Sequence, residues 1–286
     1  MEVLRRGFPY TRIEPSILRI MFNKFPQRVM NALSLESPKL ALDVYDAATL
    51  LPTMTTVNEI ASTGYQLNGP LYEGSELTTC FKDDKMYIVK GLKPEELSRA
   101  HRFLGAFSES YPPNVITFEL QSSSNAKSFM IMPAMRYALD KRPEPYLLRD
   151  GVHNLWTNLK SALIHLHEGG FAFMDIKPAN ICYDDGPHLT GYFFIDLGSI
   201  APFGSNTSST DAYIPNDLLK NPARAEIDWW MLGATLAEYG CGSNSLRIGY
   251  GRTFSREEII NHLKQHLPGL VFAEFLFMVE NIPELF

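Results

Sequence analysis

Apolar positions along the chain change texture twice. Between Gly64 and Gly91 they come in brief extended runs, Tyr65 to Leu67, Leu77 to Phe81 and Met86 to Val89, with Asp83-Asp84 between the last two. That pattern predicts three antiparallel strands and a hairpin turn at the aspartate pair. Pro94, in the favoured first-turn position, opens a helix through Phe107 in which Leu97, Ala100, Leu104 and Phe107 recur at helical spacing. Further strands are expected at Val115 to Leu120 and Phe129 to Met132. The second half reads as helical. Val152, Leu155, Trp156, Leu159, Leu163 and Leu166 form a stripe over Asp150 to His167, ended by Gly169-Gly170. Ile227 to Tyr239 is apolar on nearly every side apart from Asp228 and Glu238, the composition of a helix buried within a lobe. Thr253 to Leu267 and Leu270 to Val279 predict the last helices.

The first 60 residues form an N-terminal extension without recognisable chemistry. Ser16 to Leu35 has helical spacing at Ile17, Ile20, Met21, Val29 and Leu33, interrupted by Pro26. It reads either as a packed structural cap or as a regulatory docking segment.

Composition narrows the class. With 286 residues and 45% hydrophobic content the chain can bury one large core or two small ones. A net charge of -6 argues against nonspecific binding to nucleic acid or to an anionic membrane surface. Cys80, Cys182 and Cys241 are widely spaced and odd in number, which suggests neither a disulfide framework nor a zinc site and fits a reducing, cytoplasmic compartment. Arg5 and Arg6 are followed by Gly7, Pro9, Glu14 and Pro15, so no signal-peptide apolar core is expected, and no run approaches a membrane-spanning length.

The stretch that carries chemistry is Phe173-Met174-Asp175-Ile176-Lys177-Pro178-Ala179-Asn180, followed by Ile195-Asp196-Leu197-Gly198. An isolated DxxxxN is often only a capped turn, because Asp and Asn satisfy backbone groups in loops. Here the turn Asp184-Asp185-Gly186-Pro187 and the strand Tyr192 to Ile195 predict a hairpin that returns Asp196 towards Asn180. Upstream lie Ile88-Val89-Lys90, a glutamate at Glu96 on the helix face of Ala100, Phe103 and Phe107, and Met132-Pro133-Ala134-Met135. Downstream come Thr210-Asp211-Ala212-Tyr213-Ile214-Pro215 and Asp228-Trp229-Trp230-Met231-Leu232-Gly233. A charged residue in so apolar a helix must find donors.

In order and spacing these motifs resemble a eukaryotic-type Ser/Thr protein kinase over roughly residues 64 to 240. The resemblance implies an α+β, two-lobed fold: a small β-rich N-lobe with one main helix (about 61–135) and a mainly helical, shortened C-lobe (about 136–286). It implies ATP and Mg2+ as cofactors and a protein Ser/Thr hydroxyl as substrate. Asp175 would orient that hydroxyl and accept its proton, Lys177 would neutralise the phosphate in flight, and Asn180 and Asp196 would hold magnesium. Lys90 would bind the ATP phosphates and pair with Glu96, although Glu95 and Glu109 compete for that pairing. Met132 takes the gatekeeper position, with Ala134 and Met135 facing adenine. Of the glycine-rich loop only Leu71 and Gly74 match, with Tyr72 and Leu77 in place of its other glycines. Gly69 to Gly74 also reads GxxxxG, but Ser75-Glu76 stands where a P-loop needs Lys and Ser or Thr.

Three departures qualify the resemblance. Phe173-Met174 replaces His-Arg before Asp175, which removes the usual receptor for an activation-loop phosphate, so Ser205, Thr207, Ser208 and Ser209 are expected to form a solvated loop. Asn216 replaces a glutamate that ordinarily makes a buried ion pair. Only 46 residues follow Gly240. Because Lys90, Asp175, Lys177, Asn180 and Asp196 are all present, an active protein kinase is preferred over two rivals, a pseudokinase scaffold and a kinase-like small-molecule phosphotransferase.

Overall fold

The computed structural model describes residues 63–70, 77–122, 128–135, 137–141, 149–185, 190–207, 209–240 and 254–281. The N-terminal extension and the glycine-poor loop with Leu71 and Gly74 lie outside them. The chain divides into two compact units, one running to Pro94 and including Thr117–Ala134, the other made of Glu95–Ile116 and the chain from Met135 onward.

The first unit is a five-stranded antiparallel sheet of β1 (Gln66–Pro70), β2 (Leu77–Lys82), β3 (Lys85–Leu92), β4 (Glu119–Ser122) and β5 (Ser128–Pro133), in the order β1-β2-β3-β5-β4. Lys82 pairs with Lys85 across a two-residue turn. Asp83 and Asp84 both take left-handed backbone, φ 49° and 60°, which matches the right-handed twist of the flanking strands and which Asp tolerates better than most residues. One face of the sheet closes over Tyr65, Cys80, Val89, Phe129 and Ile131. Burial pushes the Cys80 thiol up to about 11 and the Cys182 thiol of the second unit up to about 12, and both are free cysteines.

The strand expected from Val115 begins only at Glu119. Asn114 and Ile116 spend their backbone groups elsewhere, Phe194 N–H donating to Asn114 O and Ile116 N–H to Phe194 O, each at 2.9 Å. The polypeptide is therefore bound to the second unit before it enters the sheet. Alternating apolar residues cannot distinguish these two uses of an extended backbone.

The helix expected from Pro94 is α1 (Pro94–Ala106). All but its first residue groups with the second unit. Phe103 and Phe107 set their rings 6.2 and 5.6 Å from Phe171, and Phe103 meets Tyr111 edge-on at 5.7 Å. The rest of the second unit is built on α2 (Arg149–Glu168), α3 (Ala225–Gly240), α4 (Arg256–His266) and α5 (Gly269–Glu280). Small sheets β6–β8–β9 (Tyr137–Ala138, Ile181–Asp185, Thr190–Phe194) and β7–β10 (Phe171–Ala172, Ala201–Pro202) carry the loops between α2 and α3. Among the described residues no helix is long and apolar enough to cross a membrane.

Helix α3 is buried almost all round, as its composition predicts: Trp229, Met231, Leu232, Ala234, Leu236 and Ala237 have no exposed surface. Gly233 lets α4 and α5 approach it. A Cβ there would lie 2.6 Å from a Phe275 ring carbon and 3.0 Å from Leu263 Cδ1. Phe275 cannot yield easily, being fully buried and edge-on to Trp230 at 5.5 Å. Overpacking costs about 1–3 kcal/mol, while alanine regains about 1 kcal/mol of helix propensity. Gly233→Ala is therefore expected to lose up to about 2 kcal/mol in urea denaturation, and a gain in stability would contradict this packing.

Candidate active site

Helix α2 ends at Gly169-Gly170, with Gly170 at φ 75° turning the chain back into β7. The loop that follows hangs on one buried carboxylate. Asp228 of α3, with no exposed surface, accepts the backbone N–H groups of Phe173 and Met174 at 2.7 Å each. It also meets His167 Nε2 at 2.9 Å. The donors that so apolar a helix demanded of its aspartate are thus present. Met174 takes φ 68°, a conformation that costs a side-chain-bearing residue about 1–2 kcal/mol. The charge-assisted bonds to Asp228 offset that strain and aim the following residues.

Asp175 is next, and both of its oxygens are held. Oδ1 accepts the Thr210 hydroxyl at 2.5 Å. Oδ2 meets Lys177 Nζ at 2.7 Å and accepts Asn180 Nδ2 at 2.7 Å. Asn180 Nδ2 also donates to the Asp175 backbone carbonyl at 2.8 Å, and Lys177 Nζ reaches Thr210 Oγ1 at 3.2 Å. The carboxylate, ammonium, carboxamide and hydroxyl therefore occupy one hydrogen-bonded cluster. Asp175 and Lys177 keep 14% and 30% of their side-chain surface, enough to meet a reactant.

The hairpin expected between Asn180 and Asp196 is β8–β9, closed at its base by Ile195 N–H donating to Asn180 O at 3.1 Å. Asp196 caps the turn Leu197–Ser199, its Oδ1 accepting Gly198 N–H at 2.9 Å. With the Asn180 amide nitrogen committed to Asp175, its carbonyl oxygen is the atom suited to a hard cation. A carboxamide and a carboxylate on adjoining backbone fit magnesium, which takes few protein ligands and completes its octahedron with water and phosphate oxygens. Among the described residues there is no cluster of three or more His, Cys, Asp or Glu that could form an all-protein metal cage.

Of the residues expected to meet nucleotide, Lys90 is half-buried on β3, paired with Leu77 and Met130. Met132 is buried on β5 opposite Ile88, and Ala134 and Met135 are half-buried. Ala134 N–H donates to Met86 O at 3.0 Å, so its backbone donor serves the sheet. Glu96 is half-buried in the first turn of α1 and falls in the other unit from Lys90.

Two expectations change. Ser205 and Thr207, expected in a solvated loop, are tied into the fold, while Ser208 lies outside the described residues. Ala201 and Pro202 pair with β7, Phe203 N–H donates to Gly170 O, Gly204 N–H to Ala223 O and Ala223 N–H to Ser205 O, these three bonds all at 2.8 Å. Thr207 Oγ1 donates to Ser199 O at 3.1 Å. Backbone pairing, legible only in three dimensions, orders this stretch. Nor does Asn216 leave the C-terminal part without an ion pair. Arg256, at the start of α4, sets Nη2 2.7 Å from Asp217 Oδ2 and Nη1 2.6 Å from Glu226 Oε1, and Glu226 also receives Arg224 at 2.6 Å. Asn216 N–H donates to Phe254 O at 2.8 Å beside this clamp. The charge has moved one residue along.

The Arg256 guanidinium holds the Asp217 carboxyl below the ordinary aspartate range. Its stabilising contribution is therefore full above about pH 5 and is lost as pH falls past the ordinary value near 3.9 towards the lowered one. Asp217 is half exposed, so solvent screening keeps the effect under about 1 kcal/mol. Denaturation of wild type and Asp217→Asn should differ at neutral pH and converge in acid.

Sequence reading missed the roles of His167, Glu226 and Arg256. A polar residue within the buried end of the α2 stripe was the available signal for His167. The charged pair Glu226 and Arg256 had none, since the two are 30 residues apart in sequence.

A protein-family model described as a protein kinase domain matches residues 75–268, more than half of the chain, and the chain belongs to that family. Serine/threonine-protein kinase Sgk1 of Danio rerio is 36% identical over 182 residues, 54% of this chain and 39% of that protein. Cyclin-dependent kinase F-3 of Oryza sativa subsp. japonica is 25% identical over 132 residues, 44% of this chain and 30% of that protein. The chain thus spans well under half the length of these curated relatives. Among solved structures, the Cydia pomonella granulovirus kinase PK-1 matches with a TM-score of 0.53 at 21% identity, covering 65% of this chain and 75% of that one. Vaccinia related kinase 3 matches at 0.52 and 14%, covering 75% and 80%. Both likenesses support the kinase fold, with its β-sheet lobe and helical lobe.

Proposed function

We propose that this protein is an ATP- and Mg2+-dependent Ser/Thr protein kinase, acting on a protein hydroxyl in a reducing, cytoplasmic setting. The single observation that carries the reading is the cluster of Asp175, Lys177, Asn180 and Thr210. In it Asp175 receives the proton of the acceptor hydroxyl, whose oxygen becomes the attacking nucleophile. Lys177 sits beside that oxygen and offsets charge on the phosphoryl group as it passes. Asn180 holds the aspartate by two bonds from its amide nitrogen, which leaves its carbonyl oxygen as the atom to meet a cation. Asn180 and Asp196 are the residues to hold magnesium, whose chemistry when bound is to neutralise phosphate oxygens. Lys90 binds the nucleotide phosphates with Glu96 as its partner, and Met132, Ala134 and Met135 line the adenine side.

Thr210 supports Ser/Thr over metabolite phosphorylation. Its hydroxyl joins Asp175 to Lys177, and it belongs to the segment where a protein chain carrying the acceptor would lie. The test is label transfer from radiolabelled ATP, with Mg2+, to mixed proteins, followed by phosphoamino-acid analysis. Phosphoserine or phosphothreonine that disappears in Asp196→Asn is the expected result. Nucleotide binding without label on any protein or small molecule would make the chain a scaffold, and label on metabolites alone would make it a small-molecule phosphotransferase.

A further inference from the structure

Helix α4 carries a pair of side chains that phosphoryl transfer does not use. His262 and His266 stand one turn apart on the same face, and their rings lie 4.3 Å apart, centroid to centroid, with 45° between planes. Two imidazole nitrogens bound to one tetrahedral ion at about 2.0–2.1 Å each sit roughly 3.3 Å from one another. Rings whose centres are 4.3 Å apart, at positions i and i+4 of one helix, are close enough to present one nitrogen each to a shared ion. Both side chains are half-exposed, so an ion has an entry path and room for water.

We infer that His262 and His266 form a bidentate site for a late first-row divalent ion, Zn2+ or Cu2+, outside the phosphoryl-transfer cluster. Imidazole is the ligand class these ions prefer, whereas Mg2+ takes oxygen donors. His266 lies in the last turn of α4, where the helix dipole favours positive charge. The basic residue in that turn is Lys264, which is exposed, and the α5 N-terminus that follows from Gly269 has no acidic residue in its first turn. Glu258, one turn before His262, is tied into the helix N-terminus, its Oε2 accepting Ser255 N–H at 2.9 Å in a reciprocal cap. Among the described residues the protein ligands are therefore the two imidazoles, with water to complete the coordination.

The site has a structural consequence. An ion bridging the last two turns of α4 stiffens the helix whose first residue, Arg256, clamps Asp217 and Glu226. The experiment uses the full chain stripped with a chelator and titrated with ZnCl2 by calorimetry and with CuCl2 by electron paramagnetic resonance, both with Mg2+ in excess. One equivalent of Zn2+ should bind, with nitrogen hyperfine structure from two imidazoles in the Cu2+ spectrum and a raised melting temperature. His262→Ala and His266→Ala should each weaken binding by at least about tenfold and abolish the thermal shift while melting like the metal-free wild type. Absent binding at neutral pH, displacement by Mg2+, or binding that survives both substitutions would overturn the assignment. None of these readouts depends on kinase activity.

Discussion

Replacing Asp175 by asparagine is expected to lower phosphoryl-transfer turnover by about 10²–10⁴-fold, the range contributed by a positioned general base. Asparagine keeps the volume, and its carbonyl oxygen can still accept one of the bonds now made by Thr210, Lys177 and Asn180. It lacks the second acceptor and cannot take a proton near neutral pH. Its amide nitrogen must also face either the Thr210 hydroxyl or the donors Lys177 and Asn180. The change therefore removes the chemistry and loosens the cluster without emptying a core position, since Asp175 is only half-buried. The affinity for nucleotide should change little, because Lys90 and Asp196 remain. Steady-state kinetics beside a thermal melt check this: a variant that folds and retains more than a tenth of wild-type turnover would show that Asp175 is not the base.

The second large effect is on stability. Asp228→Ala should cost about 3–5 kcal/mol, the range for breaking a buried charged network by removing one partner. The alanine would strand the Phe173 and Met174 N–H groups, both made without access to water, and would leave His167 facing a cavity. It would also withdraw the bonds that hold Met174 at φ 68°. The loop would then relax, moving Asp175 and Asn180 off their mutual bonds. Urea denaturation gives the energy, and hydrogen exchange at the Phe173 and Met174 amides locates it. A loss under 1 kcal/mol with those amides still protected would mean that the loop is held elsewhere. Asp228→Asn separates charge from shape: it keeps an acceptor for one N–H and should fall between alanine and wild type.

How much was legible beforehand follows the range of the interactions involved. Helix α3 and the turn at Asp83-Asp84 could be read directly, because an all-round apolar helix and a two-residue aspartate turn are local patterns with few alternatives. The order of Asp175, Lys177, Asn180 and Asp196 was legible too, since a short loop and one hairpin connect them. Val115 to Phe118 misled, because a backbone that bridges to Phe194 carries the same apolar alternation as one that joins a sheet. Ser205 and Thr207 misled for the converse reason: polar residues suggested solvent, whereas the Ser205 backbone pairs with Pro202 and Ala223 and the Thr207 hydroxyl donates to Ser199 O.

Sequence alone therefore determined the inventory: two lysines, a carboxamide and three aspartates in kinase order, with Met174 where an arginine is usual. Tertiary structure decided how that inventory is held. Thr210, 35 residues after Asp175, supplies the hydroxyl on Oδ1. Asp228, 55 residues after Phe173, fixes the loop, and Arg256 replaces through Asp217 and Glu226 the ion pair that Asn216 removes. Such contacts leave no periodic trace, because a hydrogen bond needs only one donor and one acceptor brought within about 3 Å. Bringing them there is the work of the core.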